Sequence, residues 1–293
     1  MKTLALLFHK DCMDGISSAS IAWHTLSKTY RVSPIPVQYG NYHVEQFETY
    51  NEIFIVDFCL KLDEIEYLNS KNIKTTIIDH HITNKDVFSK TLEMENISFI
   101  FDISKSGAVL TYEYFEKLDP SVSAFSKELF LYIQDRDIWK WEMPYSKEMS
   151  ESLNFLVKKN SIISFQEIMK NFDDEKQELI NTGDFLLEKQ RSDVEKSISH
   201  DKLKFTTLLD HDIVMLNSTT LISEIGNTLC VKYNKIAMMY FITPEMNVVL
   251  SFRSLDTLPD ASILAKHFGG GGHRNACGAQ LTLAQFTELF GDK

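Results

Sequence analysis

Residues able to bind a divalent cation gather where apolar runs of this chain end. Ile77-Ile78 leads into Asp79-His80-His81, and Leu4–Phe8 into His9-Lys10-Asp11-Cys12-Met13-Asp14-Gly15. Ile53–Val56 leads into Asp57, and Leu129–Ile133 is followed by Asp135-Arg136-Asp137. Carboxylate oxygens suit magnesium and manganese, and manganese also accepts imidazole. Two such ions roughly 3.5–4 Å apart can stabilise both the attacking and the leaving oxygen of a phosphoryl displacement. The chain offers His9, Asp11, Asp14, Asp57, His80 and Asp135, with His81 and Asp137 nearby. Asp57 stands alone at the end of its run, which makes it the candidate to bridge two ions. Each residue also has an ordinary use: an acid after a strand caps a helix or forms a turn. What separates the two uses is whether the elements bring these ends together.

The apolar pattern predicts strands at Leu4–Phe8, Val32–Val37 and Ile53–Val56, and a fourth ending at Ile77–Ile78. Helices are expected from Ile16, over Lys61–Ser70 and over Ala108–Leu118, the last capped by Ser104 or Ser106. Strand–helix alternation with short connections gives a parallel sheet, and open sheets of that kind carry function at the carboxyl ends of their strands. Phe125–Ile133 reads as a helix with Asp135 just beyond it. The fold class expected is α/β, with residues 1–150 as a parallel-sheet catalytic domain, 151–200 as a linker of two or three surface helices, and 201–293 as a smaller mixed α/β domain.

The chain has 293 residues and a formal net charge of −11, which argues against a protein that coats long polyanions or duplexes. A small anionic substrate remains compatible, because a bound cation can outweigh a negative field locally. The four cysteines are scattered without a Cys-x-x-Cys pair, as in a cytoplasmic protein with reduced thiols. No stretch approaches the ~20 apolar residues of a membrane span. The N-terminal apolar stretch is brief and runs into Lys10 and Asp11, so it reads as a buried strand.

Near the C-terminus stand Ser251-Phe252-Arg253-Ser254 and Gly269-Gly270-Gly271-Gly272-His273-Arg274-Asn275-Ala276-Cys277-Gly278. Successive glycines let backbone N–H groups approach an anion, and Arg253 can grip a phosphate with two hydrogen bonds. The ordinary reading is a loop between a helix ending at Phe268 and a strand at Ala279–Leu281. The segment is not a phosphate-binding P-loop, which needs Gly-Lys-Ser/Thr.

Asp79-His80-His81 after an apolar strand, with His9, Asp11, Asp14-Gly15 and Asp57 upstream and Asp135 downstream, resembles the DHH phosphoesterase superfamily. The glycine-rich segment resembles that family's associated C-terminal domain. The resemblance implies two divalent ions, manganese first with magnesium or cobalt as substitutes. The first would be held by His9, Asp11 and Asp57, the second by Asp14, Asp57, His80 and Asp135. It places His81 at the scissile phosphate and Asp79 behind a histidine, as the catalytic pair. It makes Arg253, Ser254, Gly270, Gly271, Gly272, His273 and Asn275 the substrate clamp. The spacing departs from the family pattern, because Cys12 and Met13 separate Asp11 from Asp14. Asp135 is preferred over Asp137. The implied activity is hydrolysis of short oligoribonucleotides or dinucleotides such as pApA or pGpG to mononucleotides, by a nanoRNase-type enzyme. Alternatives are a cyclic-dinucleotide phosphodiesterase, a nucleotide phosphatase of the pAp type, a single-strand DNA exonuclease and a non-catalytic nucleotide sensor. A homodimer is left open.

Overall fold

The computed structural model describes residues 1–291; residues 292 and 293, the end of the expected C-terminal domain, lie outside it. The chain forms two compact units, Met1–Leu187 and Glu188–Lys293. No helix among the described residues is long and apolar enough to cross a membrane.

The first unit opens with β1 (Thr3–His9), α1 (Met13–Leu26), β2 (Arg31–Val37), β3 (Glu52–Val56), α2 (Leu62–Ser70) and β4 (Lys74–Asp79). It continues with α3 (Lys85–Thr91), β5 (Ile97–Phe101), α4 (Gly107–Leu118), α5 (Lys127–Asp137) and α6 (Ser146–Leu156), and it leads into α7 (Ile162–Ser197). The five strands pair in parallel in the order β2-β1-β3-β4-β5.

Central strands buried on both faces need apolar residues throughout. In β1, Leu4, Leu6 and Phe8 join one core with α1, α4 and α5, while Ala5 and Leu7 join the opposite core with α2. Phe54 and Val56 against Ile53 and Ile55 repeat that division in β3. This is why the strands read as unbroken apolar runs in the sequence. The sequence reading missed β5, a short edge strand whose residues are only partly buried and carry a weaker pattern.

Where two or three linker helices were expected, residues 162–197 form one helix of 36 residues. No proline interrupts it. Gly183 is needed within it because α6 passes so closely that a Cβ there would collide with the Glu148 carbonyl oxygen. α5 is also longer than expected and carries both Asp135 and Asp137 inside it.

The second unit holds β6 (Lys204–Leu208), β7 (His211–Asn217), α8 (Ile222–Tyr233), β8 (Ile236–Ile242) and β9 (Asn247–Arg253). α9 (Ser262–His267), β10 (Gly271–His273), β11 (Ala276–Thr282) and α10 (Leu283–Phe290) follow. Its six strands run in the order β10-β11-β9-β8-β7-β6. Only β7 and β8 pair in parallel, joined through α8; the other pairs are antiparallel. The glycine-rich segment is therefore a hairpin strand and not an open loop, with Gly271 opposite Gly278 and His273 opposite Ala276.

Gly183→Ala tests the helix crossing. The added methyl must push α6 and α7 apart, so the variant should lose about 1–3 kcal/mol in urea unfolding.

Candidate metal centre

Three strand ends and two helices of the first unit deliver the titratable groups. His9 closes β1, Asp79 closes β4 with His80 directly after it, and Asp57 follows β3. Asp57 leaves the strand in a left-handed conformation, with φ 52. Its N–H still donates to the Ile78 carbonyl at 2.9 Å, so the residue turns without leaving the neighbouring strand. Aspartate tolerates this region better than most side chains, at a cost on the order of 1 kcal/mol. Gly107 allows the turn, because a Cβ there would meet Asp57 Cβ at 2.7 Å and Asp14 Oδ2 at 2.9 Å.

Asp14 lies in the first turn of α1 and is 1% exposed. Its Oδ2 accepts from Gly107 N at 2.6 Å and its Oδ1 from Ala108 N at 2.9 Å. The positive end of α4 thus holds this carboxylate. Ser106 caps the same helix, its hydroxyl accepting from Val109 N.

His80 Nε2 lies 3.1 Å from Asp57 Oδ1, 3.4 Å from Asp14 Oδ2 and 3.5 Å from Asp137 Oδ2. On the other side of Asp57, Oδ2 is 3.5 Å from His9 Nδ1. Asp57 Oδ2 and His9 Nδ1 are buried and have no hydrogen-bond partner. A buried carboxylate oxygen with no donor is costly, and a cation satisfies it. Donor atoms of Asp14, His80 and Asp137 lie within 4.8 Å of one another, as do those of His9, Cys12 and Asp57, and those of Asp57, His80 and His81. These oxygen and nitrogen donors fit divalent cations.

Charge crowding reinforces that fit. Burial, then Asp57 and Asp137, push the Asp14 carboxyl well above its ordinary value. Burial and Asp57 likewise raise Asp137. Burial works against ionised Asp57, but His80 and then His9 outweigh it and hold that carboxyl below the usual range. Burial also opposes protonation of His80; its hydrogen bond to Asp57 and the charges of Asp14, Asp57 and Asp137 prevail and push it up to about 9.

Asp79 is fully buried and serves His81, whose Nδ1 is 2.7 Å from Asp79 Oδ1. The other oxygen accepts from Asn84 Nδ2 at 2.7 Å. That hydrogen bond to Asp79 is the leading cause of the raised pKa of His81. Asn84, which the sequence reading did not single out, locks the carboxylate that orients the ring. Its only sequence signal is a place five residues past Asp79, the end of β4.

Two expected ligands stand elsewhere. Asp135 accepts from Glu142 N at 2.9 Å and Met143 N at 3.1 Å, so it organises the turn after α5. Two residues along a helix turn the side chain by roughly 200°, so Asp135 and Asp137 face opposite ways and Asp137 is the one at His80. Asp11 points outward with φ 58, its carboxylate accepting from Asn160 Nδ2 at 2.7 Å and lying 3.0 Å from Lys159 Nζ. Beside it, Asn154, Lys158, Lys159, Cys12 and Met13 help line a cavity of about 400 Å³.

In the second unit, Arg253 donates to the Phe252 carbonyl and to Ser223 Oγ. Ser254 is buried and donates to the Pro259 carbonyl, which leaves it poorly placed as a substrate contact. The N–H groups of Gly269 and Gly270 close the end of α9, donating to Lys266 and Ala265. Gly271 and Gly272 lie in the hairpin strand, so the expected cradle of free amides is largely spent on structure. His273 is exposed at the strand end. Asn275 Nδ2 donates to Asp256 Oδ1, while its Oδ1 is buried without a partner.

Residues 4–132 match the DHH family, N-terminal domain. An uncharacterized protein of Acanthamoeba polyphaga mimivirus is 27% identical over 93% of this chain and 66% of its own length, so the chain spans about two thirds of that relative. The oligoribonuclease NrnB of Bacillus subtilis is 24% identical over 97% of this chain and 74% of its own. A pGpG-specific phosphodiesterase of Vibrio cholerae, PggH, shares the fold at 15% identity and a TM-score of 0.53, with 99% of this chain and 96% of that one covered.

The two aspartates of α5 should separate experimentally. Asp137→Asn should weaken Mn²⁺ binding by about 10–100-fold in calorimetry with little loss of fold stability. Asp135→Ala should keep Mn²⁺ affinity and lose about 1 kcal/mol in unfolding, because two partly buried N–H groups lose their acceptor.

The cluster also fixes a pH dependence. Protonated His80 contributes stability that is complete below 6.5 and lost as pH rises through about 9. Asp14 and Asp137, with raised values, become mutually repelling anions over rising pH and add to the loss. The melting temperature in chelator should therefore fall from pH 6.5 to pH 9, and saturating Mn²⁺ should flatten the profile.

Proposed function

We propose that this protein hydrolyses short linear oligoribonucleotides, including dinucleotides such as pApA and pGpG, to mononucleotides with the help of two divalent cations, manganese foremost. The observation that carries this reading is the buried Asp57 carboxylate, one oxygen facing His80 and the other, without a hydrogen-bond partner, facing His9. His9 and Asp57 would hold one cation; Asp14, Asp57, His80 and Asp137 would hold the other. Bound there, the cations supply charge neutralisation at the phosphate and a more acidic water.

The remaining roles belong to the chain. Asp79 fixes His81 through Nδ1 and raises its proton affinity, so the other ring nitrogen keeps a proton to higher pH. That suits His81 to donate a hydrogen bond to a phosphate oxygen and a proton to the departing ribose oxygen. Asn84 holds Asp79 in place for this task. Lys158 and Lys159 bring positive charge to the cavity beside the centre, where an anionic substrate gains from it. Arg253 and His273 are the phosphate donors we assign to the second unit. The activities for which NrnB and PggH are named, on oligoribonucleotides and pGpG, support a short substrate. The net charge of −11 disfavours long polyanions.

The test is hydrolysis, with Mn²⁺, of pApA, pGpG, longer RNA, single-stranded DNA, a cyclic dinucleotide, adenosine 3′,5′-bisphosphate and pyrophosphate. Linear dinucleotides should turn over fastest, chelation should abolish the activity, and Asp57→Asn or His80→Ala should each lower kcat by at least about 100-fold. Turnover confined to pyrophosphate, or undiminished by chelation, overturns the proposal.

A further inference from the structure

The position where the motif reading sought an acid is filled by sulfur. Asp11 is drawn away by Asn160 and Lys159. Cys12, the next residue, turns inward instead: its Sγ lies within 4.8 Å of the donor atoms of His9 and Asp57. Cys12 occupies the N-cap position of α1, yet its side chain makes no capping hydrogen bond. The thiol is therefore not engaged in the task that residues at this position usually perform.

A second observation, independent of the sulfur, marks the same point. Asp57 is 1% exposed, and its Oδ2 has no hydrogen-bond partner; neither has His9 Nδ1, 3.5 Å away. Two orphaned donor atoms beside a disengaged thiol make a set of one imidazole, one carboxylate and one sulfur. By contrast, the thiols of Cys59 and Cys230 are buried and donate to the Leu60 and Arg253 carbonyls. Cys277 is also buried.

We infer that Cys12 Sγ is a ligand of the cation held by His9 and Asp57, which makes this half of the centre a mixed nitrogen–oxygen–sulfur site selective for borderline ions such as cobalt and zinc over magnesium. Thiolate favours softer cations, whereas carboxylate-only sites accept magnesium. The other half, built from Asp14, His80 and Asp137 around Asp57, keeps the harder donor set, so the two positions differ in metal preference. On binding, the sulfur loses its proton to solvent and shares an electron pair with the cation; nothing is oxidised or reduced. The inference rests on the cation-binding part of the proposed function and not on its substrate.

Cobalt(II) titrated into the metal-free full-length protein tests it, with calorimetry reporting binding and near-ultraviolet absorption reporting a sulfur-to-cobalt charge-transfer band. The wild-type protein should develop the band. Cys12→Ser should lose it while its circular dichroism is unchanged, and its Co²⁺ affinity should fall by about tenfold or more. Cys12→Asp should bind without the band and gain affinity for Mg²⁺. Cobalt binding without the band, or a band undiminished in Cys12→Ser, overturns the sulfur assignment and leaves the proposed hydrolysis standing. No cobalt binding at all overturns both.

Discussion

The first unit depends on one buried carboxylate that its neighbours only partly neutralise. Asp57 sits at 1% exposure between His80 and His9, in a backbone conformation that a strand end does not otherwise adopt. Burying an anion is costly unless it is paired. The two imidazoles supply part of the pairing, and the unpartnered oxygen marks what is still missing. The surrounding structure is arranged to tolerate this. Gly107 leaves room for the turn, and Asp14, which would otherwise add repulsion, is tied to the amide end of α4.

That arrangement explains why the α/β architecture and the chemistry are inseparable here. Parallel strands deliver His9, Asp57 and His80 to the same edge of the sheet because all of them run in the same direction. Helices α1, α4 and α5 then close over that edge, and each contributes at one of its ends: Asp14 and the Gly107 amide from N-termini, Asp137 from a C-terminal turn. The resulting cluster is rich in carboxylates and poor in neutralising groups, so the metal-free state is destabilised where cations bind. Stability traded for a prepared site is a common bargain at functional centres.

The second unit shows how far a motif can mislead about local structure. Four glycines in a row suggest a free run of amides, yet two of them end α9 and the next two enter a hairpin. Gly270 and Gly272 are required there because a Cβ at either would press on the opposite strand, at Ala279 Cα or Cys277 Cα. The groups available to a ligand here are side chains, His273 at the end of the hairpin strand and Arg253 on the neighbouring strand β9, more than the glycine backbone.

The sequence by itself determined the parallel sheet, its four inner and early strands, and the residues His9, Asp14, Asp57, Asp79, His80 and His81. Those signals are local: a strand buried on both faces must be apolar along its length, and an acid or histidine at its end is conspicuous. The tertiary structure decided which neighbours of those residues take part. Asp11 against Cys12, and Asp135 against Asp137, differ by one or two positions in the chain but face opposite ways once the backbone turns. Side-chain direction depends on a left-handed residue in one case and on helical phase in the other. Asn84 was likewise invisible, because its partner Asp79 is reached only through a turn. Spacing along a chain does not specify direction in space; the backbone angles and packing that do so exist only in the folded molecule.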